Sequence, residues 1–520
     1  MKGLKLLIDT NILIGLEDNK SIAEVFSSLH QKCNQHSVQI FVHEASKQDI
    51  RQDKNLDRQK IILSKIEKFL PLKNIPIPAQ EQLEETYGKI NKANDYIDVV
   101  LLYTLHGVGA VDFLITQDRG LHKRAAQVGI ADRVFKVEDT LVWLRDKYDL
   151  IKVTLPYIEE KQCHQINKKD NIFSSLRADY AEFDTWFQKS CVREHRDCWT
   201  INVGSEIAGI AIRKEESFDD LVEKINSAEN RFQTKPNKVL KICTFKIREE
   251  YRGEKFGEQL IKQVLWWSHK NKYDFVYLTI YPKHKSLVDL LLLYGFESIG
   301  RTKNELYLGK TFSPGILETY ANNEPLQYHR QFYPAFLSGS SINKFLIPIK
   351  SAYYNILFPE NVNSRQAALF GATTEYSDNK IPGNTIRKVY VCHAATNAIR
   401  QGDILLFFHL KDDNSFHSQS IITVGIVDGF DITKNHEELL QLTAKRSVFS
   451  HEELIDLTSG GTKKVKVVNF LLAGHINPAI FKDRLDEIGI KGSIQSIRKI
   501  SYEHFMALEK DIKLDVKTTI

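Results

Sequence analysis

One stretch in the middle of the chain restricts the fold more than any other. Residues 239–267 read VLKICTFKIREEYRGEKFGEQLIKQVLWW, an apolar strand that runs into a turn and then directly into an apolar helix. Arg252, Gly253 and Gly257 lie in the turn. A strand, a glycine turn and a helix N-terminus in this order present backbone N–H groups and a positive dipole end to a phosphate. The stretch therefore predicts a phosphate-binding turn.

The following segment completes a resemblance to a known family. A second strand is predicted over 276–280, and an apolar helix from Ser286 ends at Tyr294-Gly295-Phe296. With the turn, this pattern resembles the GNAT acetyltransferases, whose glycine loop holds the pyrophosphate of acetyl-coenzyme A. In that family a strand pairs with the pantetheine arm, and the amine attacks the thioester without a covalent enzyme intermediate. The resemblance implies a mixed sheet and these cofactor-binding residues: Phe245, Lys246, Ile247, Arg252, Gly253, Lys255, Phe256 and Gly257.

Two positions depart from the family pattern. Lys255 stands at the inner glycine position, where a lysine is unfavourable if the backbone needs a positive φ. Leu291 stands where the family commonly has an acid tyrosine, and Tyr294 lies on a different face of that helix. His284 and Tyr294 flank the expected thioester position, and we expect a structural role for each. The sequence thus favours coenzyme A binding over efficient acetyl transfer.

The first 148 residues alternate predicted strands with predicted helices, which indicates a parallel α/β sheet. Ligands of such sheets bind at the carboxyl ends of the strands. Asp9, Glu44 and Asp118 lie at or just past three predicted strand ends. Carboxylates that converge repel one another unless a hard divalent cation lies between them. Such a cation can activate water and stabilise a phosphoryl displacement.

The order of these residues resembles a PIN-domain nuclease. The pattern consists of Asp-x-Asn, a glutamate after a strand, an aspartate near a helix start and Thr-x-Asp. The alternative for any single aspartate is a helix cap or a solvated loop residue. The resemblance implies that Mg²⁺ or Mn²⁺ is bound by the catalytic residues Asp9, Glu44, Asp98 and Asp118, with Asp95 as a candidate fifth ligand and Thr10, Asn11 and Thr116 in support.

The last part of the chain is predicted to be rich in strands. The segments 402–407, 420–425 and 464–470 resemble PUA-like barrels of the ASCH/EVE type, modules that bind RNA or modified bases. A β-barrel used only for protein contacts is the competing interpretation. Candidate ligand contacts, each with ordinary barrel surface as the alternative, are Lys350, Ser351, His393, Lys445 and Gln495.

Length and composition set the remaining limits. A chain of 520 residues is too long to fold around one hydrophobic core, which indicates several domains. We predict a nuclease-like domain over 1–148, an acetyltransferase-like domain over 149–312, a linker over 313–341 and a PUA-like domain over 342–520. A net charge of +5 is compatible with nucleic acid without indicating it. Scattered cysteines and the lack of a signal peptide indicate a cytoplasmic protein. No apolar run approaches the ~20 residues of a membrane span, so no membrane contact is expected.

These features predict a multidomain protein of α/β and α+β type that combines a metal-dependent ribonuclease with an acetyl-coenzyme A-dependent N-acetyltransferase. By family analogy, its target is tRNA, another RNA or the translation machinery, in a toxin-like or defence-like role. An antitoxin or a protein acceptor is the candidate protein partner. One alternative is an acetyltransferase with an inactive nuclease scaffold. Another is a sensor that binds coenzyme A and nucleic acid without catalysis.

Overall fold

The computed structural model of the chain describes residues 4–18, 20–51, 59, 62–64, 66, 68–148, 158–204, 206–225, 231–302, 304–317, 324–359, 385–412, 417–443 and 446–512. These residues form three sheets and two compact units. The first unit contains the residues up to 148 together with 433–465, and the second contains the other described residues. Within the described ranges, no helix is both long and apolar enough to cross a membrane.

The first unit is built on a five-stranded sheet. Its strands are β1 (Lys5–Ile8), β2 (Gln39–His43), β3 (Leu70–Leu72), β4 (Phe113–Ile115) and β5 (Val134–Phe135). Its helices up to residue 148 are α1 (Thr10–Asp18), α2 (Lys20–Gln35), α3 (Glu44–Arg51), α4 (Gln80–Tyr87), α5 (Ala93–His106), α6 (Arg119–Gln127) and α7 (Val137–Tyr148). The strand order is β3-β2-β1-β4-β5, and every neighbouring pair is parallel. The prediction of a parallel sheet is confirmed.

The second unit begins with a seven-stranded mixed sheet. Its strands are β6 (Ile158–Gln162), β7 (Asp197–Val203), β8 (Glu206–Glu216), β9 (Val239–Ile247), β10 (Phe275–Ile280), β11 (Glu297–Arg301) and β12 (Leu306–Thr311). Its helices are α8 (Ser174–Asp179), α9 (Phe183–Trp186), α10 (Phe218–Lys224), α11 (Phe256–Lys270) and α12 (Lys285–Leu293). The order is β11-β12-β10-β9-β8-β7-β6, in which β9 and β10 are the parallel pair. Apolar side chains of α11 and α12 pack on one face.

A third sheet follows in the sequence. The elements are α13 (Pro325–Phe332), β13 (Lys344–Ile349), α14 (Ser351–Leu357), β14 (Arg387–Cys392), β15 (Ile404–His409), β16 (Ser420–Thr433), α15 (His436–Thr443), α16 (His451–Thr458), β17 (Val465–Phe481), α17 (Lys482–Glu487), β18 (Arg498–Ile500) and α18 (Tyr502–Glu509). The sheet order is β14-β17-β16-β15-β13-β18, and β13 is parallel to β15. Among the described strands, the two ends of this sheet do not pair, so the predicted barrel is not confirmed.

The stretch predicted to be a linker, 313–341, contains a packed helix. Phe332, at the end of α13, and Tyr333 are fully buried. The Tyr333 hydroxyl donates to the carbonyl of Leu472 at 2.8 Å and accepts from Trp266 Nε1 at 2.7 Å. Phe332 and Tyr333, in the stretch predicted to be a linker, are therefore core residues, and the hydrogen-bond partners of Tyr333 lie far away in sequence.

The helices α15 and α16 belong to the first unit, although they interrupt the third sheet in sequence. Arg446, between them, donates to Asp132 Oδ1 at 2.7 Å. Gln441 donates to Asp112 Oδ1 at 3.2 Å, and Lys147 donates to the carbonyl of Phe449 at 2.9 Å. Residues 433–465 thus complete the first unit, whereas the sequence assigned them to a third domain.

Candidate functional site

The predicted phosphate-binding turn connects β9 to α11. Gly253 has a φ of 88° and Lys255 a φ of 60°, so both lie in the left-handed region that favours glycine. Lys255 is the N-cap residue of α11, and its side chain makes no capping hydrogen bond. The first N–H groups of a helix have no carbonyl within the helix to bind, and at an uncapped terminus they can bind an anion. The turn therefore does need a positive φ at the position where a lysine replaces the family's glycine.

The strands β9 and β10 run side by side for only part of their length. They pair over residues 239–242 and 275–278. Beyond these residues, β9 stays paired with β8, and β10 stays paired with β12. In the described sheet, Phe245, Lys246 and Ile247 consequently have no strand partner on the side of β10. An exposed backbone edge of this kind can hydrogen-bond to an extended ligand that contains amides.

The cationic side chains of Lys246 and Arg252 lie close together where this gap meets the turn, and Arg252 forms an ion pair with Glu249 at 2.7 Å. The pKa of Lys246 is lowered by burial and then by the charge of Arg252. The pKa of His284 is lowered by burial and by Lys283, with smaller effects from Lys246 and Arg252. These mutual effects place Lys246, Arg252 and His284 in one electrostatic environment. Cations beside a helix N-terminus suit the phosphates of a nucleotide-like ligand.

Two of the predicted cofactor-binding residues, Phe256 and Gly257, are packed against other side chains at the turn. The side chain of Phe256 is buried and packs on Tyr251, with ring centroids 5.8 Å apart. A Cβ added at Gly257 meets Leu290 at 3.4 Å and Ile247 at 3.8 Å, which is ordinary van der Waals contact. Phe256 therefore supports the turn from the core, and Gly257 leaves room for no more than a small side chain.

A shallow surface cavity of about 390 Å³, largely open to solvent, lies at the same end of the sheet. The parallel strands β9 and β10 both end there, and Tyr281 directly follows the last residue of β10. The cavity also touches the end of α8 and the turn between β11 and β12. Its lining residues are Asp179, Tyr281, Pro282, Lys283 and Asn304.

A stacked pair of tyrosines lies beside this cavity. The rings of Tyr180 and Tyr281 stack with centroids 5.1 Å apart. The Tyr180 hydroxyl also donates to Glu305 Oε1 at 3.3 Å. Burial, and then Glu305 and Tyr281, raise the pKa of Tyr180, so this hydroxyl keeps its proton at neutral pH. Sequence reasoning missed all three residues; the one available signal was that Tyr281 follows a predicted strand end.

The helix α12 does not supply an acid from the family position. Leu291 is buried in the apolar core. Tyr294 is also buried, and its hydroxyl donates to Glu258 Oε1 at 2.7 Å. The hydroxyl of Tyr294 is therefore engaged inside the protein, as expected for a structural residue.

In the first unit, the strand register brings Asp9 and Thr116 together. Ile8 in β1 pairs with Ile115 in β4, so the next residue of each strand lies at the same edge. The Thr116 hydroxyl donates to Asp9 Oδ2 at 2.7 Å, and Thr10 donates to Asp9 Oδ1 at 3.1 Å. Asn11 donates to the Thr116 hydroxyl at 3.0 Å. The supporting residues predicted from the sequence thus surround Asp9.

The carboxyl groups of Asp9, Asp98 and Asp118 lie close enough to repel one another. Burial raises the pKa of Asp98 to about 8, with further contributions from Asp9 and Asp118. Burial also raises the pKa of Asp9, and Asp118 adds to the effect. Asp118 additionally caps α6 by accepting from the N–H of Leu121 at 2.8 Å. Asp118 is therefore a helix cap, as the alternative interpretation had it, and its predicted role as a metal ligand stays a prediction.

The two other predicted ligands are peripheral to this cluster. Asp95 contributes to the pKa of Asp98, but it also accepts from the N–H of Asn91 at 3.0 Å. Glu44 is exposed at the first position of α3, and its charge acts on the neighbouring His43, whose pKa it raises against the larger lowering by burial. Nowhere in the described ranges do three or more His, Cys, Asp or Glu side chains form a group that could hold a metal ion. The carboxylates therefore do not form a ready metal site.

For the candidate ligand contacts of the third sheet, the structure gives the exposure or the hydrogen bond of each described residue. Lys350, His393 and Gln495 are exposed. The Ser351 hydroxyl donates to Asp412. Lys445 lies outside the described residues. A ligand site at these positions stays a prediction.

Comparisons with known proteins give likenesses to parts of the chain. No protein-family model matches the sequence, and no curated protein matches it. An N-acetyltransferase from Staphylococcus aureus Mu50 is 11% identical, and the match covers 30% of this chain and 98% of that chain at a TM-score of 0.23. Arabidopsis thaliana NAA60 in complex with acetyl-CoA is 16% identical over 30% of this chain and 98% of that chain, at a TM-score of 0.22.

An ASCH protein from Zymomonas mobilis is 15% identical, and the match covers 34% of this chain and 98% of that chain at a TM-score of 0.22. None of these three likenesses concerns the predicted nuclease. Because the identities and TM-scores are this low, they assign no activity to the chain.

Proposed function

We propose that the second unit binds acetyl-coenzyme A where β9, β10 and α11 meet and transfers the acetyl group to an amine. The observation that carries this proposal is the divergence of β9 and β10 directly beside the N-terminus of α11. The unpaired backbone edge of β9 suits an arm that contains amides, and the N-terminus of α11 suits a pyrophosphate. Coenzyme A contains such an arm joined to a pyrophosphate.

The residues present fit this substrate in three ways. The backbone of 245–247 offers hydrogen bonds to the pantetheine arm, and one N–H group there can polarise the thioester carbonyl. The first turn of α11 offers N–H groups to the pyrophosphate. Lys246 and Arg252 can donate charge-assisted hydrogen bonds to the phosphates, which are roughly twice as strong as neutral ones, with Arg252 leaving its exposed ion pair with Glu249. The bound thioester supplies the activated acetyl carbon.

Isothermal titration calorimetry with acetyl-coenzyme A tests binding. We expect saturable binding to the full-length protein and about a tenfold weaker Kd for Arg252→Glu, which places a negative charge beside the phosphates. Lys270→Glu is the matched control, because it makes the same charge change on an exposed residue at the opposite end of α11. We expect its Kd to equal that of the wild type.

Two results would contradict the proposal. One is the absence of measurable heat with acetyl-coenzyme A. The other is an equal loss of affinity in both variants, which would reveal a general effect of net charge. Transfer is then tested by release of free coenzyme A thiol in the presence of amine acceptors.

Metal-dependent cleavage of RNA by the first unit is a second candidate function. It is favoured by the repulsion among Asp9, Asp98 and Asp118 at the carboxyl ends of parallel strands, where a divalent cation would relieve that repulsion. Since the described side chains do not form a ready ligand group, cation binding requires these carboxylates to rearrange. An RNA substrate and an inhibitory antitoxin belong to this proposal as candidate partners, and a protein acceptor belongs to the acetyl transfer proposed above.

A cleavage assay on total tRNA and single-stranded RNA with Mn²⁺ or Mg²⁺ tests this candidate. We expect cleavage that requires the metal and is lost in Asp9→Asn. Glu85→Gln, which removes one exposed carboxylate from α4, is the control for net charge. A wild-type protein that cleaves neither substrate, or an Asp9→Asn protein that cleaves both normally, would refute it.

A further inference from the structure

A row of polar side chains crosses the seven-stranded sheet just before β9 and β10 separate. In the strand register, Lys214 of β8 lies opposite Lys241 of β9, and Lys241 lies opposite Tyr277 of β10. The last pair between β9 and β10, Ile242 and Leu278, follows directly. Cross-strand partners point to the same face of a sheet. The three side chains therefore lie together on one face, where the proposed coenzyme A gap begins.

This face of the sheet is the one opposite α11 and α12. Leu240 and Ile242, on either side of Lys241 in the chain, pack into the apolar core to which α11 and α12 contribute. Tyr277 belongs instead to the cluster around α10, together with Val239. Successive side chains of a strand alternate between the two faces, so Lys241 lies on the side of α10. Lys241 is only half-buried there, and a ligand can reach its side chain.

Cations outnumber carboxylates around Lys241. Lys214 forms an ion pair with Glu216 at 2.8 Å, and Lys224 of α10 pairs with the same carboxylate. The ammonium nitrogen of Lys241 makes no ion pair with any described residue. Burial lowers the pKa of Lys241, Glu216 raises it, and Lys224 and Lys214 lower it. Because like charges directly opposite each other destabilise a sheet, an anion beside Lys241 would relieve the repulsion.

The hydroxyl of Tyr277 also lacks a partner. It is fully buried and makes no hydrogen bond to the described part of the chain. The ring lies near Lys241, whose ammonium nitrogen is 5.6 Å from the ring centroid. A buried hydroxyl without a partner costs free energy, which an acceptor oxygen of a ligand would restore. A hydroxyl near an unpaired ammonium group suits a carboxylate, which has an oxygen for each donor.

We infer that Lys241 and Tyr277 bind a carboxylate of the acceptor, so that the amine to be acetylated belongs to an amino acid or a similar molecule. Phe245, the first of the unpaired residues that face the thioester, lies four residues beyond Lys241, about 13 Å along the strand at ~3.3 Å per residue. The lysine side chain spans part of this distance, so several bonds separate the amine from the carboxylate. This inference rests on the proposed acetyltransferase function.

The two residues determine specificity and take no part in the bond changes. The amine nitrogen bonds to the acetyl carbon while the carbon–sulfur bond of the thioester breaks. The nitrogen loses one proton and the sulfur gains one, so the products are an amide and the free thiol of coenzyme A. No other reactant is needed.

The test measures turnover of paired acceptors by the full-length protein, as release of coenzyme A thiol. The pairs are glycine and methylamine, γ-aminobutyrate and propylamine, and ε-aminohexanoate and pentylamine. The members of each pair differ only in the carboxylate, and the pairs differ in its distance from the amine. We expect one or more pairs to show a kcat/KM about tenfold higher for the member that carries the carboxylate.

Variants assign this preference to the two residues. Lys241→Met should abolish it by raising the KM of the carboxylate member about tenfold, without changing the KM of the simple amine. Tyr277→Phe should raise the same KM about threefold. Lys238→Met is the matched control, because it removes another lysine that lies over a tyrosine ring, with its nitrogen 4.2 Å from the centroid of Tyr273. The preference of this control should equal that of the wild type.

Calorimetry provides a readout that does not depend on turnover. The preferred carboxylate member is titrated into protein that is saturated with coenzyme A. We expect binding to the wild type and about tenfold weaker binding to Lys241→Met. An unchanged affinity of Lys241→Met for acetyl-coenzyme A shows that this variant is folded. Equal binding of the carboxylate member by wild type and Lys241→Met would overturn the role of Lys241.

The kinetic outcomes separate this inference from the proposed function. Equal kcat/KM values within every pair would overturn the inference and leave acetyl transfer intact. Binding of acetyl-coenzyme A without turnover of any probe would overturn both. A loss of preference in Lys238→Met equal to that in Lys241→Met would assign the effect to net charge and overturn the inference. Unchanged KM values in Tyr277→Phe would overturn the part of Tyr277.

Discussion

The hydroxyl of Tyr294 donates a hydrogen bond of 2.7 Å to Glu258 Oε1. The same oxygen accepts from the N–H groups of Ile386 and Arg387 at 2.8 and 3.2 Å. Glu258 lies in the first turn of α11, and Arg387 is the first residue of β14. One carboxylate therefore ties the helix of the proposed coenzyme A site to the six-stranded sheet. The second unit is thus held together at the element that carries the site.

Tyr294→Phe should destabilise the second unit by about 1–2 kcal/mol, because a buried carboxylate oxygen loses one of three donors. The affinity for acetyl-coenzyme A should stay within twofold of the wild type, since the two backbone donors keep Glu258 in place. Urea unfolding followed by the fluorescence of the tryptophans in this unit measures the first quantity, and calorimetry measures the second. Unchanged stability combined with lost acetyl transfer would instead identify Tyr294 as the acid.

Lys255→Gly should stabilise the second unit by about 1 kcal/mol, because a residue with a Cβ pays that much in the left-handed region and glycine does not. The φ of 60° at Lys255 is the basis of this expectation. Gly253→Ala, at a φ of 88°, is the opposite change and should destabilise by about 1–2 kcal/mol. The midpoint of urea unfolding measures both. Destabilisation by Lys255→Gly would mean that contacts of the lysine side chain outweigh its backbone strain.

Arg446→Ala should loosen the attachment of α15 and α16 within the first unit. Arg446 and Asp132 are largely buried, with 14% and 24% of their side chains exposed, so the loss should be about 1.5–3 kcal/mol. Hydrogen–deuterium exchange of 131–135 and 436–458 measures it. Lys235→Ala is the control, because the exposed pair Lys235–Asp219 should contribute no more than about 1 kcal/mol. Equal protection in Arg446→Ala and wild type would contradict this account.

The features that the sequence predicted correctly depend on local patterns. The parallel sheet followed from short apolar strands that alternate with helices. Asp9 and Asp118 were identified because they lie at strand ends, and parallel strands place such ends at one edge. For Lys255 the sequence raised only the condition of a positive φ, and the structure shows that the condition holds. In each case, the residues that decide the outcome are close in sequence or are aligned by one sheet.

The features that the sequence did not predict depend on contacts between distant residues. Tyr333 and Leu472 are separated by 139 positions, so no local pattern shows that 313–341 is packed rather than a tether. Arg446 and Asp132, separated by 314 positions, place α15 and α16 in the first unit. Tyr180 and Glu305 are 125 positions apart. Hydrophobic periodicity identifies a buried face, but it does not identify the residue that covers it.

The stability of the first unit should fall as the pH rises from about 4 to about 8, because of Asp98. Its pKa is raised from 3.8 to about 8, chiefly by burial and then by Asp9 and Asp118. Between these two values the folded state binds more protons than the unfolded state, so each increase in pH favours unfolding. Asp98→Asn stays neutral at all pH values and should show a flatter dependence. Hydrogen–deuterium exchange of the β1 and β4 peptides at pH 5 and pH 8, corrected for intrinsic exchange rates, measures the difference.

A divalent cation should reverse this trend in the wild type if the carboxylates bind one. Millimolar Mn²⁺ would then raise the protection of β1 and β4 at pH 8, where Asp98 is ionised, more than at pH 5, where protons compete for the carboxylate. Asp98→Asn should lose most of the effect, because one of the three mutually repelling carboxylates is gone. An equal response to Mn²⁺ at both pH values, or in both proteins, would assign the effect of the cation to a different site. Asp98 would then be a buried acid that lowers the stability of the first unit at high pH.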